Sequence, residues 1–159
     1  MAILLLFTLL LIYILWSISI EDIRTMLISE NKLIIFAISG IFYLAYLDFS
    51  NETVHFLHLI LNNSFSVLIL FLIMYFLSYT SSKLFRVNTL GMGDIKLSSI
   101  SVVWLGIELA FISLVISFLI SAIYGLHGKI TKKFKPFHQY PFAPFLSIGI
   151  YCSWILDKI

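Results

Sequence analysis

Long runs of apolar residues, separated by short polar segments, organise the chain. The runs cover residues 2–20, 33–47, 64–80, 95–124 and 142–156. A membrane-spanning helix needs about 20 residues, so each run predicts one crossing except the run 95–124. That run is too long for a single crossing, and Gly106 and Glu108 near its middle predict a tight turn at the membrane surface. The pattern therefore predicts an all-α integral membrane protein, a bundle of six transmembrane helices.

Basic residues predict how this bundle is oriented. With six crossings, every lysine and arginine except Lys158 falls on one side, whereas five crossings would put the lysines of 129–135 opposite the others. Cytoplasmic loops carry an excess of lysine and arginine. We therefore expect the loops 21–32, 81–94 and 127–140 in the cytoplasm and both termini outside. The segment 48–63 predicts a short helix in the outer interface.

Composition agrees with a membrane protein and excludes several other classes. The chain is 61% hydrophobic and 11% charged, whereas a soluble domain has about a quarter of its residues charged. A net charge of +2 is too small to indicate nucleic acid binding, and a single cysteine, Cys152, excludes an intrachain disulfide. Residues 1–159 are expected to form one domain. Glu52, His55 and His58 lie three apart, but we predict no metal site and no cofactor.

Two aspartates carry the candidate chemistry. Asp22 closes the first apolar run, and Asp94 follows two glycines at the start of the fourth, in the sequence Gly-Met-Gly-Asp-Ile-Lys. Two predicted crossings separate them, so both reach the same membrane face. Acids are costly near hydrocarbon and indicate a functional site. The plainer interpretation is that each only ends a helix or pairs with a base, as Asp22 would with Arg24.

Such a pair suits peptide hydrolysis by an aspartic protease dyad. One carboxylate deprotonates a water while the other, still protonated, polarises the substrate carbonyl. Two carboxyl groups a few ångströms apart share one proton and supply both states. Gly91 and Gly93 would let a substrate backbone or a neighbouring helix approach Asp94, and Lys96 would stabilise negative charge nearby. Which of Asp22 and Asp94 is base and which is acid stays open.

Three stretches resemble the type IV prepilin peptidases, membrane aspartic proteases of the GxGD type. Residues 91–97 (GMGDIKL) match the second-aspartate motif of that family. Residues 22–28 resemble its first-aspartate motif, which usually continues with Pro-Asn or Pro-Asp where this chain has Ser29-Glu30. Residues 140–146 (YPFAPFL) are similar to its proline-bracketed start of the last helix. The order of the three stretches fits the family along nearly the whole chain.

The resemblance implies a substrate and a location. Family members cut the short basic leader from type IV prepilins and pilin-like (pseudopilin) precursors at the cytoplasmic face of the bacterial cytoplasmic membrane. It therefore implies such a precursor and membrane lipid as partners, with Asp22 and Asp94 as the catalytic pair. The chain lacks the paired Cys-x-x-Cys region that many bacterial members carry, so we expect a peptidase-only form without methyltransferase activity.

Two other functions stay open. A relative that cleaves archaeal preflagellins would use the same chemistry on another precursor. A non-catalytic transporter or assembly subunit belongs to a different class, with acids that carry protons or pair structurally. Such a transporter would show polar residues deep within its helices, whereas Asp22 and Asp94 lie at predicted helix ends.

Overall fold

The computed structural model describes residues 2–50, 56–86, 90–132 and 139–158, and all regular structure in these ranges is helical. The helices are α1 (Ala2–Thr25), α2 (Glu30–Ser50), α3 (Phe56–Phe85), α4 (Met92–Ile130) and α5 (Ala143–Leu156). The predicted interfacial helix over 48–63 is wrong. Its first residues continue α2, which ends at Ser50, and its last residues belong to α3, which begins at Phe56; residues 51–55 lie outside the described ranges.

Four of these helices, α1 to α4, are long and apolar enough to cross a membrane, within the part of the chain that is described. The fifth, α5, is equally apolar but has only 14 residues. Many large apolar side chains are exposed on the outside of the bundle, including Leu72 and Phe76. A protein that exposes this much apolar surface needs a lipid environment. The helices therefore fit a multi-pass membrane protein, but they do not establish six crossings or the side on which the termini lie.

Gly106 interrupts α4, close to where the sequence predicts a turn. Its φ of 76° and ψ of 167° are non-helical, and this region of backbone space is open essentially to glycine alone. A Cβ at this position would have no atom within 4 Å. The glycine is therefore required by the backbone conformation and not by crowding, and it divides α4 into a first arm (92–105) and a second arm (107–130).

The chain reverses direction between these two arms. Near the start of the first arm, Lys96 forms an ion pair with the first residue of α2. At its end, Trp104 packs against Trp154 in the last turn of α5, with ring centroids 5.7 Å apart. In the second arm, Phe118 has returned to Phe142, immediately before α5, at the level where α1 ends. One helix by length thus contributes two antiparallel segments.

An aromatic cluster holds the far end of the bundle together. Its members come from α1, α2, the first arm of α4 and α5; they are Phe7, Phe36, Tyr43, Trp104 and Trp154. The Trp104 ring is stacked on both Phe36 and Tyr43, and its Nε1–H donates to the Phe36 carbonyl at 2.9 Å. Gly40 makes this approach possible, since a Cβ there would lie 2.9 Å from the indole nitrogen.

Small residues let α5 pack closely on the second arm of α4. A Cβ on Gly149 would lie 2.3 Å from the Ser113 carbonyl oxygen and 2.2 Å from the Ser117 hydroxyl. Both serines are fully buried, and each hydroxyl donates to a carbonyl of its own helix. Apolar lipid tails give helices little hydrophobic reason to associate, so close backbone packing through small residues supplies the attraction. This contact fixes the position of α5, whose first residues reach the aspartates.

Candidate active site

Asp22 lies in the last turn of α1 and binds the beginning of α5. Only 4% of the residue is exposed. Its Oδ2 accepts a hydrogen bond of 2.9 Å from the backbone N–H of Ala143, the first residue of α5. The first N–H groups of a helix have no partner within the helix, and they favour a negative charge. Asp22 therefore caps α5 from another helix, and α5 fixes the orientation of its carboxyl group.

Asp94 lies in the first turn of α4 and is also buried, with 8% of the residue exposed. The Gly91 backbone lies beside its carboxyl group. Its Oδ1 is buried and has no hydrogen-bond partner in the described part of the chain. A buried polar atom without a partner is costly and is often found where a site awaits water or substrate. The free oxygen therefore makes Asp94 the open half of the pair.

The structure brings the two aspartates together at one end of the bundle. Their carboxyl groups lie close enough to interact electrostatically. They come from different helices, α1 and α4, and both are buried, as are Ile95 and Leu97 that follow Asp94 in α4. The neighbourhood expected from the sequence is therefore present, while the catalytic roles of Asp22 and Asp94 stay predictions.

The two glycines before Asp94 have different neighbours. A Cβ on Gly91 would lie 3.1 Å from Oδ2 of Asp94, so the missing side chain leaves room for that carboxyl group. A Cβ on Gly93 would lie 3.0 Å from the Cβ of Ile28, on the segment that follows α1. Gly91 thus leaves room for the Asp94 carboxyl group and Gly93 for Ile28, while their predicted role in admitting a substrate stays a prediction.

Lys96 makes its contact elsewhere. Its Nζ lies 2.6 Å from Oε1 of Glu30, and both side chains are substantially exposed. Residues two apart on a helix point to opposite sides, which separates Lys96 from Asp94. The expectation that Lys96 stabilises charge at the dyad therefore has no contact to support it, and its observed partner is the beginning of α2.

Sequence reasoning missed the contacts that close the turn after α1. Oε2 of Glu21 accepts a hydrogen bond of 3.2 Å from the Ser29 N–H and lies 3.4 Å from Nζ of Lys32. Lys32 also donates to the Ser17 carbonyl at 2.7 Å. Serine at position 29 supplies a backbone N–H that a proline would lack. Glu21 therefore holds the turn after α1 through this N–H and through Lys32.

No metal site emerges from the described residues, which contain no group of three or more His, Cys, Asp or Glu side chains able to hold an ion. Of the candidates noted in the sequence, Glu52 and His55 lie outside the described residues. His58 falls within α3, but its side chain is not described.

A comparison with protein-family models identifies the chain's relatives. The model of the type IV leader peptidase family matches residues 9–126, which include both aspartates and both glycines. Comparisons with curated proteins and with solved structures gave no match. The matched region covers well over half of the chain. The chain therefore belongs to the type IV leader peptidase family, whose members are proteases.

Proposed function

We propose that this protein is a membrane aspartic endopeptidase that removes the basic leader from type IV prepilin or pilin-like precursors at the cytoplasmic face. One observation carries the proposal: two buried carboxyl groups, Asp22 and Asp94, interact at one end of the bundle. Both lie within the region that matches the leader peptidase family. That family acts on precursor proteins, and an aspartate pair is sufficient for peptide hydrolysis without a metal ion or a covalent intermediate.

The arrangement suits a reaction in which the dyad activates water. The ionised carboxylate takes a proton from water as the water oxygen bonds to the scissile carbonyl carbon. The protonated carboxyl donates a hydrogen bond to the carbonyl oxygen, where negative charge develops. The peptide C–N bond then breaks as the leaving nitrogen receives a proton from the dyad. Asp22 is held by the N-terminus of α5, and Asp94 offers a free oxygen.

The proposal includes a topology of six crossings with both termini outside. The reversal at Gly106 supports it, because the two arms of α4 then act as separate passes. With six crossings, the sequence puts every lysine and arginine except Lys158 on the side of the aspartates, as is expected of the cytoplasmic side. In this topology residues 1–159 form one membrane domain of the bacterial cytoplasmic membrane, in contact with anionic lipid through the basic loops.

The first test is precursor cleavage in membranes. A pilin-like precursor is incubated with wild type, Asp22→Asn, Asp94→Asn and the control Asp48→Asn, whose acid belongs to the far end of α2. We expect the wild type and the control to remove the leader and each dyad variant to lose activity by about 10²–10⁴-fold, as expected when a general acid or base is removed. Each variant must accumulate in the membrane at the wild-type level.

Other outcomes would point to the alternatives. Cleavage of a preflagellin in preference to a prepilin would keep the chemistry and change the substrate. Cleavage that persists in both Asp22→Asn and Asp94→Asn would exclude the dyad mechanism. A transporter or assembly role for the two acids would then be the better explanation.

A further inference from the structure

A groove runs between α2 and the first arm of α4, beside the aspartate end of the bundle. It has a volume of about 280 Å³ and is open to the outside. Its wall is apolar and its mouth carries an ion pair; the lining residues are Glu30, Leu33, Ile34, Ala37, Lys96 and Ile100. Lys96 lies two residues after Asp94 but on the opposite side of the helix, so the groove is at the aspartate end of the bundle and on another face of α4.

The acids at this end of the bundle differ in their accessibility. Four of the eight acidic residues in the chain lie here: Glu21, Asp22, Glu30 and Asp94. The two aspartates are buried, and Glu21 is held by the Ser29 N–H and by Lys32. The Glu30 side chain is 77% exposed. It is therefore the carboxylate that an arriving substrate meets first.

The surrounding charge makes this carboxylate important for a basic substrate. Exposed basic residues lie at the same end of the bundle, among them Arg24, Lys83, Lys129 and Lys132. Together they repel a cationic peptide, because like charges raise the free energy of the encounter complex. Glu30 offers the opposite charge at the groove, where apolar walls can also hold the methylene stem of a lysine or arginine.

The Glu30 carboxylate is already paired with a cation, the Lys96 ammonium, which resembles the lysine of a basic peptide. The Glu30–Lys96 pair is exposed, and exposed ion pairs contribute only about 0–1 kcal/mol. Exchanging Lys96 for a lysine or arginine of a bound peptide therefore costs little. Once released, the Lys96 ammonium turns to water, as a strongly hydrated charge on a flexible stem does readily.

We propose that the groove is a docking subsite for the basic leader of the precursor, in which Glu30 binds a leader cation in exchange for Lys96. The inference rests on the proposed function, since it assumes a leader with basic residues. It makes Glu30 a specificity-determining residue and Lys96 an internal competitor of the substrate. Neither residue takes part in bond cleavage.

Removing each member of the pair separately tests the proposal. Binding of a fluorescent precursor is measured in nanodiscs on an Asp94→Asn background, so that the precursor stays intact, with Glu30→Gln or Lys96→Gln added. We expect Glu30→Gln to weaken binding and Lys96→Gln to strengthen it, each by about two- to fivefold, the range of an exposed ion pair. A merely structural ion pair would move both variants in the same direction, because each breaks the same contact, and that result would overturn the proposal.

A second precursor, with its leader lysines and arginines replaced by glutamate, is the matched control. Its binding should no longer weaken with Glu30→Gln and should weaken with Lys96→Gln, because the lysine becomes the attractive partner. An unchanged response would also contradict the proposal. Since binding is measured without cleavage, failure here is distinguishable from loss of the dyad mechanism, which the activity of the wild type and of Asp22→Asn decides separately.

Discussion

The carboxyl pair at one end of the bundle and the aromatic rings at the other end satisfy their polar atoms differently, although the Ser153 hydroxyl beside Trp154 is also buried without a partner among the described residues. At the end with the aspartic pair, a buried carboxyl oxygen of Asp94 has no hydrogen-bond partner among the described residues. In the aromatic cluster at the far end, the polar atoms of the rings are satisfied. The indole N–H of Trp154 donates to Thr8 at 3.1 Å, and the Tyr43 hydroxyl accepts from Lys158 at 2.8 Å.

The stability of the fold and the chemistry of the site therefore depend on opposite ends of the helices. Aromatic pairs contribute about 0.5–1.5 kcal/mol beyond the area they bury, and the cluster joins four helical segments with several such pairs. Its far position lets the aspartate end carry a cost that would otherwise destabilise the fold. A change at the aromatic cluster should therefore lower stability, and a change at the aspartates should lower activity.

The largest effect on stability is expected for Trp104→Ala. It should lower the free energy of unfolding by about 3–5 kcal/mol, the usual cost of removing a buried large aromatic side chain. Denaturant unfolding in detergent micelles measures the loss. Trp104→Phe, which keeps a ring but not the N–H that binds the Phe36 carbonyl, should cost less. Stability equal to the wild type in Trp104→Ala would show that the cluster does not anchor the bundle.

Ala143→Pro tests the aspartate end without touching an acid. It removes the N–H that binds Asp22 at the first position of a helix, where proline is tolerated, and it also disfavours the helical conformation of the preceding Phe142 (φ −98°, ψ −27°). A hydrogen bond to a charged group is worth about 1.5–3 kcal/mol, so kcat for precursor cleavage should fall by about 10- to 100-fold with KM little changed. Ala143→Ser keeps the N–H and should stay near the wild type. Equal loss in both variants would assign the effect to the helix and not to the hydrogen bond.

Gly106→Ala tests the break between the two arms of α4. Because a Cβ there meets no atom within 4 Å, the cost arises from the backbone alone and should be about 1–3 kcal/mol. Thermal unfolding in detergent would detect it. Gly91→Ala is a useful contrast, since its new Cβ meets the Asp94 carboxyl group and should affect cleavage more than unfolding. An unaffected melting temperature in Gly106→Ala would mean that α4 runs through this position without a break.

The smallest effect is expected for Lys158→Met. The Lys158 ammonium lies 4.6 Å from the centroid of the Trp154 ring and donates to the Tyr43 hydroxyl at 2.8 Å. Loss of the cation–π contact and of this hydrogen bond should lower the free energy of unfolding by about 1–2 kcal/mol, while cleavage of the precursor stays at the wild-type rate. A loss of cleavage without a loss of stability would contradict the separation of the two ends.

Sequence reasoning predicted the helices, the break and the aspartates because each has a strong local signal. The apolar runs carry α1 to α5, Gly106 lies where the fourth run is too long for one crossing, and the acids are rare in such a chain. The interfacial helix at 48–63 failed because helix length is decided by packing as well as by hydropathy. The role of Ala143 was not predictable, since a backbone N–H leaves no mark in a sequence. Lys96 looked like a neighbour of Asp94 only because sequence distance ignores the direction in which a helical side chain points.

The shortness of α5 has a consequence for hydration. With 14 residues at about 1.5 Å each, it is about 21 Å long, whereas the hydrocarbon core of a bilayer is about 30 Å thick. If its far end lies at one boundary of this core, the Ala143–Asp22 contact lies several ångströms inside the other. A bilayer thins around a short span at modest cost, and a dimple there brings bulk water down to the level of the carboxyl groups. A hydrolase consumes one water molecule for each bond that it cleaves. The shortest helix of the bundle would let that water reach a site that is otherwise surrounded by hydrocarbon.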